Sequence, residues 1–263
     1  MPPIKQLAAI AALGLASAAS AQVIVTIDYR PPETVQRVAI PVNPAEKRLQ
    51  VLIISGHNSY EHDWTGVNNA LRTLLQDSKQ FDVRVTEDFD EGTLATLKKY
   101  DVVILGDVDP KQLPKAETAL PALAKYVKEH GGGLLMLAGA HASPHAYRET
   151  DLADIMPIIC DGPSPPVGAE TLKEGYRPRL TVAGQTHPLF RFSRDEAENA
   201  EIWNHLTPLL WYSKGYRRKL SAEVLAVHPE VSAEAAPGQA AKEENHPLVL
   251  QHQSVRTSST CYG

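Results

Sequence analysis

Cysteine is nearly absent: Cys160 and Cys261 are the only two in 263 residues, far apart along the chain. Two thiols make no disulfide framework, so the fold has to rest on its apolar core. Aromatic residues are sparse at 6%, which leaves aliphatic side chains to fill that core. Neither sign of charge dominates, since 26 Lys and Arg against 31 Asp and Glu give −5. A nucleic-acid or anionic-membrane partner needs a basic face, and this composition offers none. There are no internal repeats. Long hydrophobic runs are missing too, and the stretch Leu7–Ala16 is too short to span a bilayer as a permanent helix.

That short stretch has a different use. Lys5 precedes it and the small residues Ala19, Ser20 and Ala21 follow, the three-part pattern of a secretory signal peptide. Cleavage is expected between Ala21 and Gln22, with export to a periplasm or beyond. No cysteine follows the cleavage site, which argues against a lipid anchor. Loss of the leader takes Lys5 with it and leaves about 240 residues, one sizeable α/β domain that needs no staples.

Residues 22–48 read as a Pro-containing arm with one edge strand in "VIVTIDY". From Leu49 a βαβ alternation begins and runs to Gln253. "LQVLIISG", "DVVILGDVD" and "LLMLAG" are apolar on both faces, as central parallel strands must be. "FDVRVTED" alternates and reads as a further strand. Between them, "DWTGVNNALRTLLQDSKQ" places Trp64, Val67, Leu71, Leu74 and Leu75 on one helical face. "EGTLATLKKY" is a short helix, and "LPALAKYVKEH" is a helix with Pro121 in its first turn, capped by the glycines 131–133. "DLADIMP" reads as a short helix, "RPRLTVAG", "AEVLAVHP" and "PLVLQHQ" as strands, and 232–245 as an Ala/Glu/Pro-biased loop. The fold class that follows is α/β and doubly wound, with a mostly parallel sheet and right-handed crossovers. The tail 254–263 has no apolar alternation. It is expected to be poorly ordered, to leave "PLVLQHQ" an unpaired edge, and to mark a truncated or altered end.

In such a sheet ligands bind outside the carboxyl ends of the strands. Here that rim collects His57, Asn58, Ser59, His62 and Trp64 after the first parallel strand, and Glu87 after the second. Asp107 follows the third, and His141, Ser143 and His145 follow the fourth. Each has a bland reading alone: Asp63 as a helix cap, Asp107–Pro110 as a turn, a single histidine as a core hydrogen-bonder. Their convergence on one rim is what makes a candidate binding site.

The stretch "LQVLIISGHNSYEHDWTGVNNALRTLLQDSKQFDVRVTED" resembles the opening of the trehalose-utilisation (ThuA-like) family. "YDVVILGDVDPKQLP", "LAKYVKEHGGGLLMLAGAHAS" and "YRETDLADIMPI" are similar to the related glutamine amidotransferase-like domains of bacterial cell-surface proteins. "HPLFRF", "NAEIWNHLTPLLWY" and "AEVLAVHP" fit the second half of the same group. The resemblance covers about Leu49 to Gln251 and implies the class I glutamine amidotransferase-like fold, which is flavodoxin-like, with carbohydrate-linked roles in some relatives.

Glutamine amidotransfer needs a cysteine on the turn after a central strand, activated by a histidine that a carboxylate orients. The matching turn holds Gly139 and Ala140, and Cys160 lies beyond the next element. "VHPE" (227–230) looks like the His-x-Glu end of such a triad, but without a nucleophile it reads as a coincidence at a strand end. Glutaminase chemistry is therefore not expected. Three readings of the rim remain. His57 or His141 can carry a proton, oriented by Asp107 or Glu87, in acid–base chemistry on a small polar, sugar-derived ligand. His57, His62 and His141, with His145 and Asp107 nearby, offer ligands for zinc or a similar divalent ion. The third is a cell-surface carbohydrate-binding or assembly domain that holds a ligand unchanged, with Trp64, Trp203 and Trp211 as stacking faces or as core.

Overall fold

A computed structural model of the chain describes residues 21–26, 47–55, 64–87, 89, 92–139, 142–163, 172–233 and 245–253, the first of these segments by its backbone alone. The strands are β1 (Ala21–Thr26), β2 (Leu49–Ser55), β3 (Phe81–Thr86), β4 (Val102–Gly106), β5 (Gly133–Ala138), β6 (Ile158–Ile159), β7 (Arg179–Leu180), β8 (Arg217–Arg218), β9 (Glu223–Ser232) and β10 (Asn245–Gln253). The helices are α1 (Trp64–Asp77), α2 (Leu94–Leu97), α3 (Ala116–His130), α4 (Val182–Thr186) and α5 (Glu196–Asn204).

Eight strands form one sheet in the order β3-β2-β4-β5-β1-β10-β9-β7, while β6 and β8 make a small separate pair. β3, β2, β4, β5 and β1 run parallel, then β10, β9 and β7 alternate antiparallel. The fold is thus α/β and doubly wound, with β3 on one side of β2 and β4 on the other. That reversal of direction is the topological switch point.

Alternation along the strands builds two cores. Leu52, Ile54, Val103, Leu105, Leu134 and Met136 face α3 through Leu120, Leu123 and Val127. Val51, Ile53, Val102, Ile104, Leu135 and Leu137 face the other way, onto Leu71 and Leu75 of α1 and onto Phe190. Helices packed on both faces are why these strands read as unbroken apolar runs.

Several expectations need correcting. The arm's strand is not an edge: β1 lies inside the sheet, parallel to β5 and antiparallel to β10. β10 is accordingly paired on both sides, by β1 and β9, so "PLVLQHQ" is no exposed edge. Residues 254–263, most of the 232–245 loop and the leader before Ala21 lie outside the described residues. α3 starts at Ala116, so Pro121 sits in its second turn, where only one backbone bond is forgone. "RPRLTVAG" gives just two strand residues before Thr181 caps α4, its hydroxyl accepting from the Gly184 amide at 3.0 Å. A Cβ at Gly184 would meet the Leu225 carbonyl, which fixes that helix against β9. "DLADIMP" forms consecutive turns instead of a helix, with the Ile155 and Met156 amides both donating to the Leu152 carbonyl.

An interior β1 has a measurable consequence. Ile24→Pro removes a ladder donor from the middle of the sheet, and is expected to cost on the order of 3 kcal/mol in denaturant unfolding of the chain that begins at Gln22. An arm at the edge would leave stability within about 0.5 kcal/mol.

Candidate functional site

β2, β4 and β5 are neighbours in that order, so their carboxyl ends open side by side at the switch point. His57, Asn58, Ser59, His62 and His141 follow β2 and β5 and lie outside the described residues, as does the side chain of Trp64. Glu87 is exposed at the exit of the edge strand β3.

Asp107, at the exit of β4, is the best-defined member of the rim. Its backbone is left-handed, φ +41°, a conformation that Asp tolerates better than most residues. One carboxylate oxygen accepts the backbone N–H groups of Ala142 and Ser143, both at 2.8 Å. Gly139, at the exit of β5, lies so close that a Cβ there would fall within the same carboxylate. Its amide donates to the Ser143 carbonyl at 3.0 Å, which closes the loop. The Tyr147 hydroxyl ties the next turn back to the Val108 carbonyl at 2.7 Å. Burial, and after it the charges of Asp107 and Asp109, raise that phenol well above its ordinary range, so it stays a donor. Asp109 caps the following turn through the Lys111 amide at 2.9 Å, the local role its sequence suggests. Asp107 therefore shapes the β5 exit loop, bringing two strand ends together.

That loop carries Ser143 and His145, both buried. His145 Nε2 donates to the Gly215 carbonyl at 3.1 Å, so its ring is committed to a neighbouring segment, Tyr212–Tyr216. The Ser143 hydroxyl is 1% exposed as a residue and has no partner. Two more buried polar atoms share this condition near the same end of the sheet: Asn68 Nδ2, in the second turn of α1, and Ser213 Oγ. Neither is distinguished in the sequence, where each reads as an ordinary helix or loop residue.

The register extends the rim further than sequence reasoning reached. Val25 of β1 pairs with both Leu137 of β5 and Val249 of β10. Since β10 runs the other way, its first residues stand level with the exit of β5. His246 is there, donating from Nε2 to the Ser213 carbonyl at 2.8 Å. His228 of β9 lies beside it, between the rings of Tyr176 at 4.1 Å and Tyr212 at 4.8 Å. The two share a His-Pro step, 228–229 and 246–247, but so does 187–188, whose histidine pairs with Gln251 at the other end of β10, so the sequence does not single them out. Of the tryptophans proposed as stacking faces, Trp203 serves as packing, against Phe190 and Phe192, with its Nε1 donating to the Pro178 carbonyl.

Cys160 is buried, and desolvation pushes its thiol up to about 12. It follows β6 and is far from thiolate chemistry at neutral pH. Glu230 is exposed, and His228 Nδ1 accepts backbone N–H groups instead of facing a carboxylate, so "VHPE" does not form a His–Glu dyad. Among the described residues no three metal-capable side chains gather, and no helix is long and apolar enough to cross a membrane.

The protein is thus a doubly wound α/β domain of flavodoxin-like order whose polar groups collect at one end of the sheet. No family model and no curated protein matches it. Two solved structures are similar, each described as a ThuA-like protein. The one from Parabacteroides merdae is 17% identical, with 79% of each chain covered and a TM-score of 0.43. The one from Bacteroides uniformis is 16% identical, covering 82% of this chain and 85% of that one, with a TM-score of 0.41. At such identity no ligand, residue role or activity passes to this chain.

The Asp107 clamp separates scaffold from chemistry. Asp107→Ala removes a charged acceptor from two amides and is expected to cost about 2–4 kcal/mol in urea unfolding. Asp107→Asn keeps an acceptor and tolerates positive φ, so its loss should stay below about 1 kcal/mol. Equal stability of Asp107→Ala and the native protein would mean that the clamp is not formed.

Proposed function

We propose that this chain is an exported ThuA-like domain of glutamine amidotransferase-like fold that binds a small polar, sugar-derived ligand at the carboxyl rim, without amidotransferase chemistry. The observation that carries the reading is where the unpartnered buried polar atoms lie. Among the described residues, Asn68 Nδ2, Ser143 Oγ and Ser213 Oγ belong to elements at the carboxyl end, and only His252 Nδ1 lies elsewhere. A buried group without a partner costs about 1–3 kcal/mol, which a ligand or an ordered water recovers. Hydroxyl and amide groups suit hydroxylated ligands better than ions.

His57 and His141, which follow β2 and β5, are the proton carriers in this reading, with the β5 exit loop held in place by Asp107. Gly139 and Ala140 stand where an amidotransferase needs its thiol, and the protonated, buried Cys160 supports the exclusion of that chemistry. Export rests on the leader pattern, and cleavage after Ala21 would keep Gln22–Thr26 in the sheet as β1.

Two measurements test this reading. Titration of the exported protein with glucose and with trehalose should shift the backbone amide resonances of Ala142 and Ser143. His57→Ala and His141→Ala should abolish the shift while changing stability by less than about 0.5 kcal/mol. With glutamine, the native protein and Cys160→Ser should both release no ammonia above blank. Ammonia release that Cys160→Ser removes would overturn the rejection of thiol chemistry, and an intact mass that retains Met1 would refute export.

A further inference from the structure

β9 is interrupted where it reaches the rim. Val227 pairs with Pro247 and Ser232 with Asn245, so the four residues 228–231 stand opposite His246 alone. Bulges of this kind re-aim side chains at sheet ends. This one is held by a histidine: His228 Nδ1 accepts the backbone N–H groups of Glu230 at 3.2 Å and Val231 at 3.1 Å. Two donors on one nitrogen fix the tautomer, with Nδ1 bare and the proton on Nε2.

We propose that His228 is a proton-operated latch on the rim: neutral, it holds the β9 bulge and the Tyr212–Tyr216 strap closed, and protonated at Nδ1 it releases both. A proton on Nδ1 would point at two N–H groups, so the ring must turn away or the amides must leave. Every described element packed against the ring bears on the outcome. β10 contributes His246, the strap contributes Tyr212 and the exposed Lys214, the segment before β7 contributes Tyr176, and β9 itself contributes Glu230. Lys214 lies 4.9 Å from the centre of the Tyr212 ring. Burial first, then His246 and Lys214, disfavour the imidazolium, and among the described residues Glu230 opposes them. The folded value therefore lies below the ordinary 6.5. With fewer protons bound in the closed form, the latch is fully stable above about 6.5 and is lost as pH falls through the folded value.

The strap connects this event to the site. It is seated by Ser213 on His246, by Gly215 on His145 of the β5 exit loop, and by the Tyr216 hydroxyl on the Pro247 carbonyl at 2.7 Å. Release of Tyr212 beside a charged His228 removes one wall of that seating. The consequence for a ligand rests on the reading of the rim as a binding site, whereas the latch itself does not.

The test needs no ligand, so it fails or succeeds independently of that reading. Global stability is a poor probe, because burial also lowers the titration of His252 at the far end of β10. Residue-resolved hydrogen exchange, corrected for the intrinsic pH dependence, is specific. Protection of the Glu230 and Val231 amides, and of amides 213–216, is expected to fall up to about tenfold per pH unit below 6.5. In His228→Asn, whose side-chain oxygen can accept the same two amides but cannot titrate, the protection should not change with pH. A flat profile in the native protein, a fall confined to the bulge, or a fall that persists in His228→Asn would overturn the proposal. Ring-nitrogen shifts of the native protein at pH 8 supply a second check: the Nε2–H tautomer is expected for His228, and the Nδ1–H tautomer would overturn the latch without any variant.

Discussion

Val51, Ile53, Ile54, Val103, Ile104 and Leu105 are all completely buried. They come from adjacent parallel strands and point alternately to opposite faces, so neither face of the central sheet meets water. A sheet covered on both sides has one kind of place left for polar groups, the ends of its strands. Carboxyl ends are favoured over amino ends because the crossover helices start there, opening a crevice where the strand order reverses. The location of Asp107, Ser143 and His145 follows from that constraint before any chemistry is considered.

Within the rim, the conspicuous polar side chains build the structure. Asp107 has a carboxylate, the residue type most readily taken for a catalytic group, yet it spends one oxygen on two backbone amides and sits against Gly139. The histidines are used in the same way. His145 and His246 each donate to a carbonyl of the 212–216 strap, and His228 accepts from its own strand. Among the described residues of this rim, the buried polar atoms left without a partner are the less conspicuous Asn68 Nδ2, Ser143 Oγ and Ser213 Oγ.

The antiparallel half of the sheet is more than an attachment. Because β10 runs against β5 and β1, its start arrives at the end where the parallel strands finish. A segment more than a hundred residues downstream of β5 thereby delivers His246 to the same level as the β5 exit loop. The strap joins the two, passing from Tyr212 in one core to Tyr216 in the other.

Local pattern alone determined a good deal about this protein. Two-faced apolar runs identified β2, β4 and β5, the 3.6-residue stripe identified α1, and the glycines after His130 ended α3 in a left-handed turn at Gly131. Those signals arise from neighbours within a few residues, so they survive being read one segment at a time. What only the tertiary structure decided was which remote segments pair. Nothing within "VIVTI" distinguishes an edge strand from one flanked by β5 and β10, and nothing in "VHPE" or "NHPL" says that a bulge brings the two histidines together. Strand pairing is set by hydrogen bonds between segments, and burial by what lands on them. Both are settled when the whole sheet closes, and they leave no periodicity of their own in the chain.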